Sequence, residues 1–129
     1  MFSRNIFLNG SISLAHENKL PIFAHVIIDS NFVNNRFDLI RKYSKNIKLI
    51  LSLGALCSIA ERDFSIIKNN DIYIIRKLIR GNLFSNDISN YLVEGGTVMA
   101  SAMQIVFYSN PSVVFLLGLD ISNCNLARF

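Results

Sequence analysis

Short apolar runs recur along this chain with amphipathic stretches between them, and that alternation constrains its fold more than any other feature. Ile6-Phe7-Leu8, residues 23–28 (FAHVII), residues 47–53 (IKLILSL) and residues 72–75 (IYII) are too short for helices and rich in β-branched or aromatic side chains. Such nearly continuous apolar runs suit strands buried on both faces. Between the first two runs, Asn9-Gly10-Ser11 is a turn whose serine can cap a helix through Leu14 and Ala15, and Pro21 closes that unit. After Asp29, Ser30 or Asn31 can cap a helix that carries Val33, Phe37, Ile40 and Tyr43 at helical intervals, with Arg41 and Lys42 on its polar side. Gly54 is expected to open a loop, and residues 57–67 have helical spacing with Glu61, Arg62 and Asp63 facing solvent. From Arg76 to Val93 the pattern weakens into a loop-rich stretch with room for a short helix, and Gly95-Gly96-Thr97 then starts another helix. Strand-helix alternation of this kind predicts a single α/β domain over residues 1–129, with a mainly parallel sheet and helices on both faces.

Composition narrows the function classes. Of the 129 residues 51% are hydrophobic and 17% charged, so the chain has a core to bury and is not of the disordered class. A net charge of +4 favours anionic partners in general, but the dense Lys/Arg stripe typical of nucleic-acid binding is missing, so no nucleic-acid partner is expected. Arg36, Arg41, Lys42, Lys45 and Lys48, with Arg76, Lys77 and Arg80, read either as solvated faces or as contacts to an anionic acceptor or membrane surface. Cys57 and Cys124 form no CxxC pair, which argues against a disulfide scaffold and a zinc site and fits a reducing cytosol. The first ten residues lack an apolar run ending in small residues, so no secretory signal is expected there.

Residues 98–119 carry no charge until Asp120 and have the length of a membrane span. Asn110-Pro111 interrupts them, because proline disfavours helix at the residue before it. The segment therefore reads as a buried helix over residues 98–108 and a short buried strand over residues 113–117.

Ligands of open parallel sheets sit beyond the carboxyl ends of the strands. The polar residues there are Asn9-Gly10-Ser11, Asp29-Ser30-Asn31, Gly95-Gly96-Thr97 ahead of a helix, and Gly118 and Asp120. Glycine permits close backbone approach, and helix-start amides with a Ser or Thr hydroxyl suit a phosphate or a sugar hydroxyl. Taken singly, the same residues are ordinary caps and turn formers. His16 and His25 are not spaced as a metal pair, no metal site is expected, and His25 reads as a satisfied structural histidine within a strand. No GxSxG, GxxxxGK[ST] or GxGxxG is present, which removes the motif-based cases for a serine hydrolase, a P-loop NTPase and a dinucleotide-binding enzyme.

Asn9-Gly10-Ser11, Pro21-Ile22-Phe23 with the strand to Asp29, Asn31-Phe32, Arg36, Ala102-Met103-Gln104-Ile105 and Gly118-Leu119-Asp120 follow one another in an order with a known counterpart. Together they resemble the lipopolysaccharide core biosynthesis proteins that act as Kdo transferases, the type that adds a third Kdo to the inner core. The resemblance runs over residues 6–129. More remotely, Gly-Gly-Thr-Val at the helix start and the strand ending Gly-Leu-Asp are similar to bacterial sialyltransferase-like families that use CMP-activated acidic sugars. The resemblance implies a Rossmann-like glycosyltransferase with CMP-Kdo as donor, no separate cofactor, and a lipopolysaccharide or lipid A-core acceptor. It further implies a cytoplasmic protein, peripheral at the inner membrane.

By the same resemblance, Asn9, Gly10 and Ser11 lie near the nucleotide, Asp29 near its ribose or base, Gly95, Gly96 and Thr97 near the phosphate or donor sugar, and Asp120 at the rim. Transfer needs a held donor, a stabilised departing phosphate and a general base, and no residue here matches the last. Members of the family are longer, with a further strand and phosphate-contacting loop before the position of Ile6 and more chain after Gly-Leu-Asp. The chain is thus expected to correspond to the central part of such an enzyme, and an inactive fragment is one expectation. A non-catalytic module that binds a membrane or a partner through residues 98–119 and the basic residues is the alternative.

Overall fold

The four residues AHVI at positions 24–27 are all buried, and a strand buried on both faces needs a neighbour on each side and a layer above and below. The computed structural model, which describes residues 4–78, 85, 87–93 and 96–118, supplies all of these. Strands β1 (Ile6–Leu8), β2 (Ala24–Ile27), β3 (Lys48–Ser52) and β4 (Asp71–Ile75) form one parallel sheet in the order β1-β2-β3-β4. The register sets Phe7 beside His25, His25 beside Leu49, and Leu49 beside Ile72.

Strand order that follows chain order has a consequence for layering. Right-handed crossovers between successive neighbours all return across the same face. That face is covered by α1 (Ile12–Glu17), α2 (Ser30–Asn35), α3 (Phe37–Tyr43), α4 (Leu53–Arg62) and α5 (Phe64–Lys68). Its core joins Ile27, Leu49 and Leu51 of the sheet to Val33, Ile40, Ala55, Ile59 and Ile66 of the helices. The opposite face is left to the chain after β4. Here a two-stranded parallel pair, β5 (Lys77–Leu78) with β6 (Leu92–Val93), and helix α6 (Val98–Tyr108) cover the sheet. Val26 and Ile75 pack there with Leu92, and with partly buried Leu8, Ile50, Val98 and Ile105. The chain is therefore an α/β protein with a Rossmann-like parallel sheet and helices on both faces.

Gln104 fixes this second layer. Its side chain is 2% exposed. Its Oε1 accepts from the backbone N–H of Ser85 at 3.2 Å and of Val93 at 3.0 Å, while Nε2 donates to the Val93 carbonyl at 2.8 Å. A buried amide so fully partnered ties α6 to the segment before it.

Several local expectations change. Gly54 lies in the first turn of α4 and not in a loop, because the Ser52 hydroxyl accepts from Ala55 N–H at 3.1 Å and starts the helix at Leu53. The helix expected across residues 30–43 breaks at Arg36 (φ −131°, ψ 38°). Its cap is neither Ser30 nor Asn31 but the Asp29 carboxylate, which accepts from Asn31 N–H at 2.8 Å. The helix expected over residues 57–67 breaks at Asp63, whose extended backbone and side-chain bond to Ser65 N–H start α5. Within the loop-rich stretch, β5 and β6 pair. The helix over Val98–Tyr108 forms as expected and stops at the Asn110-Pro111 turn. Residues 113–117 form no strand among the described residues: Phe115 is 84% and Leu117 89% exposed. A strand exists only through a pairing neighbour, and hydropathy does not supply one. No described helix is long and apolar enough to cross a membrane.

Candidate functional site

The carboxyl ends of all four main strands open on one cleft of about 870 Å³, within the size range of small-ligand sites. Asn9 follows β1, Asp29 and Ser30 follow β2, Ser52 and Gly54 bound the β3–α4 junction, and Arg76 and Lys77 follow β4. The remaining wall is the start of α6, with Gly96, Thr97, Val98 and Ser101. No reversal of strand order makes this crevice. It arises because the chain changes faces after β4, so that α4 on one side and α6 on the other both aim their amino ends at the strand tips.

Each wall has a local cause. Asp29 is exposed and its Oδ1 caps α2, which orients the carboxylate at the rim. The Ser52 hydroxyl donates to the Ile28 carbonyl at 2.7 Å while capping α4, locking the end of β2 to the start of that helix. Gly96 has φ +75°, a conformation that L side chains rarely adopt, and space for a Cβ is not what limits it. Thr97 caps α6 by accepting from Ala100 N–H at 3.2 Å and keeps its own hydroxyl proton for another acceptor. The amino ends of α4 and α6 carry partial positive charge, and Arg76 and Lys77 add two cations opposite a single carboxylate, Asp29, among the described lining residues. Chemically the cleft is suited to an anion with hydroxyl groups attached.

The structure thus gathers four of the eight residues that the resemblance assigns to the site, Asn9, Asp29, Gly96 and Thr97, and with them Ser30 from the tip of β2. Gly10 and Ser11 do not line the cleft. A Cβ on Gly10 would meet Leu39 and Phe32 at 3.8 and 3.9 Å, so this glycine faces α2 and α3. The Ser11 hydroxyl accepts from Leu8 N–H at 2.9 Å and donates to Leu8 O at 2.8 Å, which closes the turn after β1. Gly95 and Asp120 lie outside the described residues, as do Arg80 and Cys124. Arg76 and Lys77, read from sequence as solvated or anion-facing in general, line the cleft directly. The signal for them was their place immediately after the fourth apolar run.

His25 is the satisfied structural histidine that its strand position suggested. It is fully buried, with Nε2 2.8 Å from the Asn9 carbonyl oxygen and Nδ1 3.0 Å from Ser44 Oγ. Burial pushes its pKa down from 6.5 to about 4, against the smaller opposing effect of the Asn9 bond, so the ring is neutral at neutral pH. His16, on α1, is exposed and hydrogen-bonded to the Tyr43 carbonyl, and it does not line the cleft. No group of three metal-ligating side chains occurs among the described residues.

The fold and cleft together define an α/β protein with an open crevice at the carboxyl edge of a parallel sheet. Comparison with protein-family models, with curated proteins and with solved structures gives no match.

Proposed function

We propose that this chain binds a nucleotide-activated acidic sugar, CMP-Kdo, in the cleft at the strand tips, as the donor site of a lipopolysaccharide core glycosyltransferase. The observation that carries the anionic part of this reading is the convergence of the α4 and α6 amino ends with Arg76 and Lys77 on one cleft. Those groups would hold the phosphate and stabilise it as CMP departs, Asp29 would accept hydrogen bonds from ribose hydroxyls, and Thr97 would donate to phosphate or sugar. The ordered motif resemblance supplies the base and the sugar. No general base is assigned, since His25 has both ring nitrogens engaged.

Calorimetry with CMP tests the site. CMP is expected to bind more tightly than cytidine, and Arg76→Ala is expected to weaken CMP about tenfold, the effect of one charge-assisted contact. Lys42→Ala, remote from the cleft, should leave affinity unchanged. Equal affinity for CMP and cytidine, or no CMP binding, overturns the reading. Incubation with CMP-Kdo and truncated lipopolysaccharide, followed by release of CMP, tests transfer.

A second reading, peripheral contact with a membrane, is favoured by one observation. Val113, Phe115 and Leu117 are 57%, 84% and 89% exposed on an uncharged segment. Aromatic and aliphatic side chains of this kind partition into the bilayer interface. Co-flotation with vesicles of phosphatidylethanolamine and phosphatidylglycerol is expected, and Phe115→Ser with Leu117→Ser should abolish it.

A further inference from the structure

The residue that follows the first strand, at the start of the 3-10 turn Asn9–Ser11, is left-handed without being glycine. Asn9 has φ 45°, although glycine is the next residue and would adopt that conformation without cost. Asparagine tolerates the left-handed region better than most side chains, but something must still select it there. His25 is the neighbour whose side chain bonds the backbone of this residue. It sits on β2, fully buried, with Nε2 2.8 Å from the Asn9 carbonyl oxygen. A carbonyl oxygen has no proton to give, so Nε2 carries the proton and donates it. The neutral ring then leaves Nδ1 as an acceptor, and the Ser44 hydroxyl, 3.0 Å away, donates to it. Ser44 closes α3, so the ring is held from behind by one helix end while it grips the turn in front.

Asn9 lines the cleft, and its side-chain Oδ1 is buried without a hydrogen-bond partner among the described residues. An unpaired buried carboxamide oxygen is costly unless something donates to it. We infer that His25 is a positioning residue for the cleft: by donating to the Asn9 carbonyl it holds the left-handed turn that presents the Asn9 carboxamide to a ligand N–H or O–H donor. The identity of that ligand as CMP rests on the nucleotide reading above; the link from His25 to Asn9 does not.

Four variants and two readouts test it. The backbone state of Asn9 is followed by its HN–Hα coupling and carbon shifts, and affinity is followed by calorimetry with CMP. His25→Leu removes the donor, and it is expected to erase the positive-φ signature of Asn9 and to weaken CMP at least about tenfold, one lost polar contact. His25→Gln keeps an N–H donor at similar reach and should retain both properties. Asn9→Gly should keep the turn but lose affinity to the extent of His25→Leu, while Ser44→Ala should change either readout less than His25→Leu. Retention of the Asn9 signature and of CMP affinity in a folded His25→Leu protein overturns the inference. Should that variant not fold, the wild type decides: the His25 Hε2 resonance is expected to shift with CMP and to saturate with the calorimetric affinity, and an Hε2 that stays still through saturation overturns the inference. If the wild type binds no CMP while the Asn9 signature still depends on His25, the nucleotide reading fails and the link between the two residues is supported.

Discussion

Truncating Leu51 to alanine is expected to destabilise the protein by about 3 kcal/mol, within the range found for fully buried leucines. Leu51 is fully buried on β3, paired in register with Ile27 and Ile74, and belongs to the core that joins the sheet to α2, α4 and α5. The loss has two parts, the transfer free energy of the missing isopropyl group and the cavity that neighbouring strands cannot close around. Urea denaturation should show a lowered midpoint with an unchanged slope, because the surface exposed on unfolding stays nearly the same. Leu14→Ala, at a position 53% exposed, should change stability by no more than about 0.5 kcal/mol. Comparable effects at the two positions would mean that β3 is not the centre of the core.

Acidification is the second large perturbation. His25 titrates near 6.5 when unfolded and at about 4 in the fold, so the folded protein excludes a proton that the unfolded chain accepts. The stability this contributes is fully present above pH 6.5 and is lost as pH falls from 6.5 toward 4. The gap corresponds to about 3 kcal/mol. Urea midpoints at pH 7, 5.5 and 4 should fall progressively, and His25→Gln should flatten that dependence. Asp63, held below its ordinary value chiefly by its bonds to Ser65, loses its stabilising charge at lower pH still. The difference between wild type and variant therefore isolates the histidine. An identical pH profile in both would show that ring protonation does not limit folding.

Much of the sheet was legible because its strands are short apolar runs, of which β2 is covered on both faces while Tyr73 and Ile74 leave β4 an exposed edge. Ile6–Leu8 begins and ends where its pattern does, and the tips of the runs located Asn9 and Asp29 at the cleft. The tip of the run ending at Ile75 points equally to Arg76 and Lys77, which their charge alone leaves either as solvated faces or as contacts to an anion. Helix breaks at Arg36 and Asp63 were hidden because the apolar spacing continues through both, while the decisive acts are a backbone rotation and a cap by Asp63 itself. Gly10 and Ser11 lie in a tight 3-10 turn as expected, but the Ser11 hydroxyl bonds back to Leu8 and does not cap α1, and which side of the turn faces a ligand depends on tertiary neighbours such as Leu39 and Phe32. Residues 113–117 have the composition of a strand, and composition does not provide an edge to pair with.

The order in which the layers are completed also bears on how the chain is made. During synthesis β1 to β4 and their five helices emerge first, and a sheet formed from them alone would have one finished side. The other side, carrying Val26, Ile50 and Ile75, remains a bare apolar plate until α6 arrives and Gln104 clasps the strand before it. A chain in that state would display a sticky surface that the finished molecule conceals, open to any other apolar surface that reaches the plate before α6.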